Sequence, residues 1–201
     1  MDLERFKVLF LVVTAISALL VASPALQHFL VYPQTEYFTE LWLLGPAQKA
    51  ENYPYNITQN GNYQVYLGIS NHLGSCGYYL VQVKFRNQTM IGPDSFNRTH
   101  SNLPTLYSFN VFVADKQTVQ MPIDFFFDYN KVDSQNDSQV NFNRLTLNNA
   151  QVNLNGYSTS WNSTNNDYYG KLVFELWLYN STLGSFQYNE RFVDLRFNMT
   201  V

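Results

Sequence analysis

Two hydrophobic rhythms divide the chain. From Val8 to Ala22 every residue is apolar except Thr14 and Ser17, and the run continues through Ser23-Pro24-Ala25-Leu26 before Gln27-His28. From Tyr63 onward, apolar and polar positions alternate with a period of two. The first pattern predicts a helix and the second predicts strands whose one face is buried. Tyr63, Val65, Leu67 and Ile69 form one apolar stripe; Tyr79, Val81, Val83 and Phe85 form another. Similar stripes run through Tyr107–Val113, Val119–Phe127, Leu172–Leu178 and Val193–Met199, and Phe38–Leu44 makes an earlier strand closed by Gly45-Pro46.

Turn clusters separate these runs: Asn60-Gly61-Asn62, Gly74 to Gly77, Gly92-Pro93-Asp94, Asn155-Gly156 and Gly184-Ser185. No amphipathic helix of three turns follows residue 35. The fold class expected is therefore all-β. It is an antiparallel immunoglobulin-like β-sandwich of about eight strands, with a closed barrel as the alternative. The stretch from about 128 to 167 is the most polar, with Val140–Leu154 patterned as a hairpin, and is expected as a soft insertion.

Val8–Leu26 is 19 residues, about 28 Å as a helix, close to the roughly 30 Å of a hydrocarbon core. Arg5 and Lys7 precede it, and the next Lys or Arg is Lys49. The positive-inside rule then places the N-terminus in the cytoplasm and everything beyond the span outside. A cleaved signal peptide, cut near Ala22–Ala25, is the rival reading and leaves the domain on the same side. The expected organisation is residues 1–34 as cytoplasmic stub, membrane anchor and juxtamembrane segment, and 35–201 as an extracytoplasmic domain.

Composition narrows the function classes. Charged residues are only 13% of the chain, against about 25% usually. With 12 basic against 15 acidic residues there is no cationic face for nucleic acid. The 17% aromatic content argues for a packed core rather than disorder. Asn-x-Ser/Thr acceptors for N-glycans stand at Asn56, Asn87, Asn97, Asn136, Asn162, Asn180 and Asn198, against about three expected by chance. Acceptors require exposure, so these positions are expected at turns or strand edges, where glycans would replace surface charge as solubiliser.

The residues that carry chemistry are sparse. Histidine occurs only as His28, His72 and His100, and the lone Cys76 is expected as a buried thiol with no intrachain partner. His72 and Cys76 flank a glycine-rich turn, which reads as structure rather than a nucleophile and base. H-E-x-x-H and C-x-x-C are absent, so no zinc site is expected. Asp128, Asn130, Asp133, Asn136 and Asp137 gather oxygen ligands of the kind calcium takes, but without the D-x-D-x-D-G spacing or a closing Glu, so a solvated acidic loop is expected. Neither an enzyme nor a cofactor is expected. Trp161 and Tyr157 lie in a polar stretch where a core role is not obvious, and they are the candidate ligand contacts. Trp42 and Trp177 sit within strands and are expected to pack on the sheets.

Three segments carry a family resemblance: Phe38-Thr-Glu-Leu-Trp-Leu-Leu-Gly-Pro46, Ala50-Glu-Asn-Tyr-Pro54 and Gly68-Ile-Ser-Asn-His72. Their order and spacing resemble an archaeal membrane-protein family known as domain of unknown function 1616. The match is close from Phe38 to His72 and looser to about Phe127. The resemblance implies a membrane-attached extracytoplasmic β domain and no particular activity. Members often carry several N-terminal spans where this chain has one, so any role of those spans does not transfer.

Pattern, sequons and resemblance together lead to one expectation of function. The chain is an envelope protein held in the bilayer through Val8–Leu26, with a structural or protein-interaction role that includes contact with other envelope proteins or with itself. A module binding glycan or a small ligand is the alternative.

Overall fold

A computed structural model describes residues 3–29, 36–133 and 138–201. The chain divides into two units, Met1–Glu36 and Tyr37–Val201. In the first, Leu3–Phe29 is one helix, α1. Its stretch Phe6–Ser23 has mean hydropathy 2.3 and no buried portion. Apolar side chains such as Phe10, Leu11 and Val21 project from it on all sides, and Thr14 returns its hydroxyl to the Phe10 carbonyl within the helix. The helix is long and apolar enough to cross a membrane.

The second unit is a two-sheet β-sandwich. Its strands are β1 (Phe38–Leu44), β2 (Asn56–Thr58), β3 (Tyr63–His72), β4 (Gly77–Arg86), β5 (Tyr107–Val113), β6 (Thr118–Asp133), β7 (Ser138–Leu147), β8 (Ala150–Asn153), β9 (Ser158–Ser160), β10 (Tyr169–Asn180) and β11 (Ser185–Thr200). One sheet has the order β1-β3-β6-β7-β8, with β9 also pairing β7; the other has the order β2-β11-β10-β4-β5. The described residues thus hold eleven strands rather than eight. The additional ones are short edge segments, β2, β8 and β9, of three or four residues, too brief to show a period. All pairings are antiparallel except β2 with β11, where Ile57 lies beside Met199.

The apolar stripes read from the sequence meet between the sheets. Phe85, Phe127, Phe142 and Phe197 cluster there, with ring centres 4.8 Å apart for Phe85–Phe142 and 5.1 Å for Phe127–Phe197. Tyr129 ties the layers together: its hydroxyl donates to the carbonyls of Ile57 at 2.9 Å and Thr200 at 2.6 Å, both on the opposite sheet.

The stretch expected as an insertion is instead integral to the first sheet. β6 runs on to Asp133 with β7 alongside, and Val140, Phe142, Leu145 and Leu147 of β7 are buried. Its polar character comes from the outward positions and from the Asn148-Asn149 turn, where both residues have positive φ (45° and 68°), the geometry of a tight hairpin that Asn tolerates.

The segments that carry the family resemblance are joints of this fold. Gly45 donates its N–H to Lys49 O at 2.8 Å, and any Cβ on it would lie 2.0 Å from the Glu51 carbonyl oxygen. Tyr53 then returns its hydroxyl to Leu43 O at 2.8 Å. Trp42 lies across Gly68 of the neighbouring strand, where a Cβ would come within 2.1 Å of the indole. Asn71 is fully buried and donates to Ser75 O and Val113 O, both at 2.8 Å, while accepting from Leu73 N–H and Tyr79 O–H. It thereby fixes the β3–β4 turn against the end of β5.

Candidate functional site

The expected ligand contacts part company in the structure. Trp161 follows β9, donates its backbone N–H to Ser138 O at 2.9 Å and packs its ring edge-on to Tyr168 at 4.9 Å. It remains 44% exposed at the mouth of an open cleft of about 400 Å³, lined also by Gln88, Thr89, Ser160 and Asn162. Tyr157 does not reach that cleft. Its ring stands perpendicular to Phe85 at 5.6 Å, against the core, and burial raises its phenol above the ordinary value. The polar groups of the cleft wall are largely spent on each other. Asn87 Nδ2 donates to Ser158 O at 2.7 Å, Gln88 Nε2 to Ser160 O at 2.6 Å, and Thr159 Oγ1 to Gln88 Oε1 at 2.8 Å.

The glycan acceptors also divide. Asn56, Asn97 and Asn180 are exposed, on an edge strand and at two turns. Asn162 is half-buried at the start of a turn, its Oδ1 accepting from Thr164 N–H at 3.0 Å. Asn198 is half-buried, with Nδ2 donated to Asn56 Oδ1 at 3.1 Å and Oδ1 accepting from Tyr168 N–H at 2.9 Å. Asn87 corrects the expectation of exposure. It is only 9% exposed, because besides the bond to Ser158 its Oδ1 accepts from Thr89 N–H, Thr89 Oγ1 and Met90 N–H at 3.0–3.2 Å. Asn136 lies outside the described residues.

Cys76 is a second correction: the thiol is exposed rather than buried. It sits in the β3–β4 turn, whose inward space is filled by the side chain of Asn71. His72 does not address it; its Nε2 meets Ser70 Oγ at 2.9 Å, and its ring stacks on Phe38 at 4.6 Å. The acidic stretch is a strand rather than a loop, at least as far as Asp133. Asp128 faces Arg144 at 3.6 Å, and Asp133 faces Lys131 at 3.1 Å. Asn136 and Asp137 fall outside the described residues, and among the described ones no group of three His, Cys, Asp or Glu is placed to hold a metal.

The feature that sequence reading missed is the outer face of the β2-β11-β10-β4-β5 sheet. One half of it is covered by the Asn87–Leu106 connection. Under that cover Lys84 Nζ meets Glu175 Oε2 at 2.7 Å, and Ser101 donates its N–H and hydroxyl to Glu175 Oε1 at 2.8 and 2.6 Å. His100, from the same connection, rests on Trp177 at 5.1 Å and Tyr188 at 5.7 Å. Burial, and then the nearby carboxylate of Glu175, pushes the Tyr188 phenol up to about 12.

Among the described residues, nothing covers the other half of the face in this way. Phe112, Tyr78, Tyr179 and Phe186 form a transverse row across β5, β4, β10 and β11. Ring centres lie 4.1 Å apart for Phe112–Tyr78, 5.9 Å for Tyr78–Tyr179 and 5.3 Å for Tyr179–Phe186. Phe112 is 67% exposed. The next row, Asn110, Leu80, Trp177 and Tyr188, is also uncharged, and Asn110 Nδ2 donates to Tyr78 OH at 2.5 Å. The row is an apolar patch, partly open to solvent, on a weakly charged face.

A family model described as "Domain of unknown function (DUF1616)" matches residues 33–136, just over half of the chain. The protein belongs to the DUF1616 family. The matched region of this DUF1616 protein covers the joints at Gly45, Gly68 and Asn71 and all of strands β1–β6. No curated protein matches the chain.

Among solved structures, it is similar to a chain from the complex of Zinc 2-glycoprotein and Prolactin inducible protein from human seminal plasma. Identity is 6% and TM-score 0.38, over 84% of this chain and 100% of that one. It is also similar to part of a β-glucosidase from Listeria innocua in complex with gluconolactone, at 10% identity and TM-score 0.37 over 84% of this chain. The aligned part spans 17% of that enzyme. Likenesses this distant carry no functional information.

Proposed function

We propose that this DUF1616 protein is a single-pass, membrane-tethered interaction module whose β-sandwich stands outside the cytoplasm and engages another protein through the uncovered half of the β4–β5–β10–β11 face. The uncharged aromatic row Phe112–Tyr78–Tyr179–Phe186 carries the reading. The row keeps Phe112 and Tyr179 exposed and Tyr78 and Phe186 half-buried, and aromatic side chains dominate the energetics of protein contacts. The apolar stretch of α1 and the Arg5/Lys7 charges at the helix's N-terminal end support the tether and its orientation. Exposed sequons at Asn56, Asn97 and Asn180 fit a surface that meets the outside with few charges.

A second reading rests on the Trp161 cleft. An indole at the mouth of an open, uncharged, amide-lined groove suits a neutral polyhydroxyl ligand such as a glycan.

Two measurements in intact cells test the primary reading. Cys76 is the chain's one cysteine and is exposed, so a membrane-impermeant maleimide should label it without permeabilisation. A photo-crosslinking phenylalanine at position 112 should couple to protein, whereas the same probe at position 161 should not. Labelling only after permeabilisation, or no protein adduct at position 112, overturns the reading. An adduct with saccharide at position 161 alone favours the cleft.

A further inference from the structure

Among the described residues, the edge strands of the sandwich other than β5 are short or partly closed off. Two outward carbonyls of β1, which also carries the charge of Glu40, are occupied by side chains: Thr39 O accepts from Arg191 Nε at 3.3 Å and Leu43 O from Tyr53 OH at 2.8 Å. Those of β9 are occupied in the same way, Ser158 O by Asn87 Nδ2 and Ser160 O by Gln88 Nε2. The remaining two, β2 and β8, are three and four residues long. Short strands and capped edges are the devices by which sheet proteins prevent edge pairing.

β5 has neither device. It is a full seven-residue edge strand, Tyr-Ser-Phe-Asn-Val-Phe-Val, without a charge, a proline or a register break against β4. Among the described residues, no side chain or loop hydrogen-bonds the backbone of Tyr107–Phe112; the one such cap in the strand is Asn71 Nδ2 on its last carbonyl, Val113 O. In a two-stranded pairing every second residue of β5 turns its N–H and C=O away from β4, so the edge is a row of groups left to water and open to pairing by another extended strand. Phe112, the outermost ring of the aromatic row, projects from this same strand.

We infer that β5 pairs with β5 of a second copy of this chain, joining two five-stranded sheets into one continuous sheet. The inference rests on the interaction role proposed above and names the partner. The occupant is self rather than a charged peptide because the strand offers no charge to complement. An isologous pair sets the strand against itself, so a lone charge near its centre would face its like; Tyr107–Val113 carries none. Full antiparallel overlap of Tyr107–Val113 places the two-fold axis at Asn110. Asn110 then faces Asn110 of the second copy, Ser108 faces Phe112, and Phe109 faces Val111. Phe112 of each copy then lies beside Ser108 of the other, and the two aromatic rows share one face of the joined sheet, offset by four residues, about 14 Å, along the strands.

The register makes the test specific. At the two-fold, the Asn110 Cα atoms would lie about 4.5–5.5 Å apart, within disulfide reach. In the full-length chain carrying C76S, N110C should give a covalent dimer on mild oxidation in native membranes, and Q151C on the β8 edge should not. S108K/F112K should abolish the dimer by setting lysine against lysine twice. S108K/F112E should restore it by setting lysine against glutamate. Both pairs are exposed positions, and near-ultraviolet circular dichroism verifies that each variant keeps its fold.

Equal cross-linking of N110C and Q151C overturns the inference, as does a dimer insensitive to S108K/F112K. If either occurs while the probe at position 112 still couples to a different protein, the identity of the partner falls and the interaction role stands. If position 112 couples to nothing, both fall.

Discussion

Lys84 on β4 and Glu175 on β10 form an ion pair 2.7 Å long, with side-chain exposures of only 4% and 0%, on the outer side of a sheet. Outer faces of antiparallel sheets are ordinarily where water solvates charge. Here the Asn87–Leu106 connection lies over the pair, and Ser101 completes its hydrogen bonds through N–H, hydroxyl and carbonyl. The pair therefore decides where the connection is pinned and which half of the face stays open.

Removing one member strands a buried charge. E175L or K84M should each lower stability by about 3–5 kcal/mol, and the double variant K84M/E175L should recover most of that loss. Urea denaturation of the full-length chain measures all three, and hydrogen exchange should show the Asn87–Leu106 connection opening first in the single variants. A double variant as unstable as the sum of the singles would mean the two groups act independently.

Alkaline pH should unfold the domain through its buried phenols. Burial, followed by proximity to Tyr63, pushes Tyr129 up to about 12, and Tyr188 reaches about 12 as well. A raised folded-state value means the folded chain holds the proton more tightly than the unfolded chain does, near 10. The stability this provides is complete below about pH 10 and is lost as pH rises from there towards 12. Denaturation midpoints between pH 8 and 12 should fall over that window. Y129F should flatten the fall while costing about 1–2 kcal/mol at neutral pH, because the Ile57 and Thr200 carbonyls lose their donor.

Glycan occupancy should follow the geometry of each acceptor rather than the presence of its sequon. Asn56 and Asn180 are exposed, and their amide nitrogens donate to no group among the described residues. Asn87 and Asn198 have theirs committed to Ser158 O and Asn56 Oδ1. Site-resolved mass spectrometry of protein from its native membranes should find the first two occupied and the second two bare. N87D, which removes the donor to Ser158 O, should destabilise by about 1–3 kcal/mol. Occupied Asn87 in folded protein would contradict the packing at the β9 edge.

What the sequence made legible, and what it hid, follows from range. Period-two stripes located β3 to β6, β10 and the second half of β11, because each strand carries its own signal: burying Tyr79, Val81, Val83 and Phe85 requires nothing beyond alternation. Trp42 and Trp177 lie on sheets, as their strand-patterned neighbours imply. The short strands β2, β8 and β9 have no period to show. The aromatic row was hidden because Phe112, Tyr78, Tyr179 and Phe186 become neighbours only through register, Tyr78 opposite Phe112 and Tyr179 opposite Phe186. Lys84 and Glu175 read as solvated positions because nothing local signals the connection that covers them. Trp161 stood out as a tryptophan in polar surroundings and does line a cleft; Tyr157, four residues earlier, has turned inward.

The family joint at Gly68 gives the most local test of how the fold is held. Gly68 pairs with Trp42 on one side and Gln120 on the other, so it is a central-strand position with no conformational need for glycine. Its requirement is spatial: a Cβ would meet Trp42 Cε2 at 2.1 Å and Nε1 at 2.4 Å. G68A must therefore lift the indole from the strand, and overpacking of this kind costs about 1–3 kcal/mol. Denaturation should show that loss, and the fluorescence contributed by Trp42 should shift to longer wavelength as the ring meets water. G68A combined with W42A removes the clash, so the second substitution should cost less in the G68A background than in the wild type. Equal costs in the two backgrounds would mean that Trp42 does not lie across Gly68 in solution.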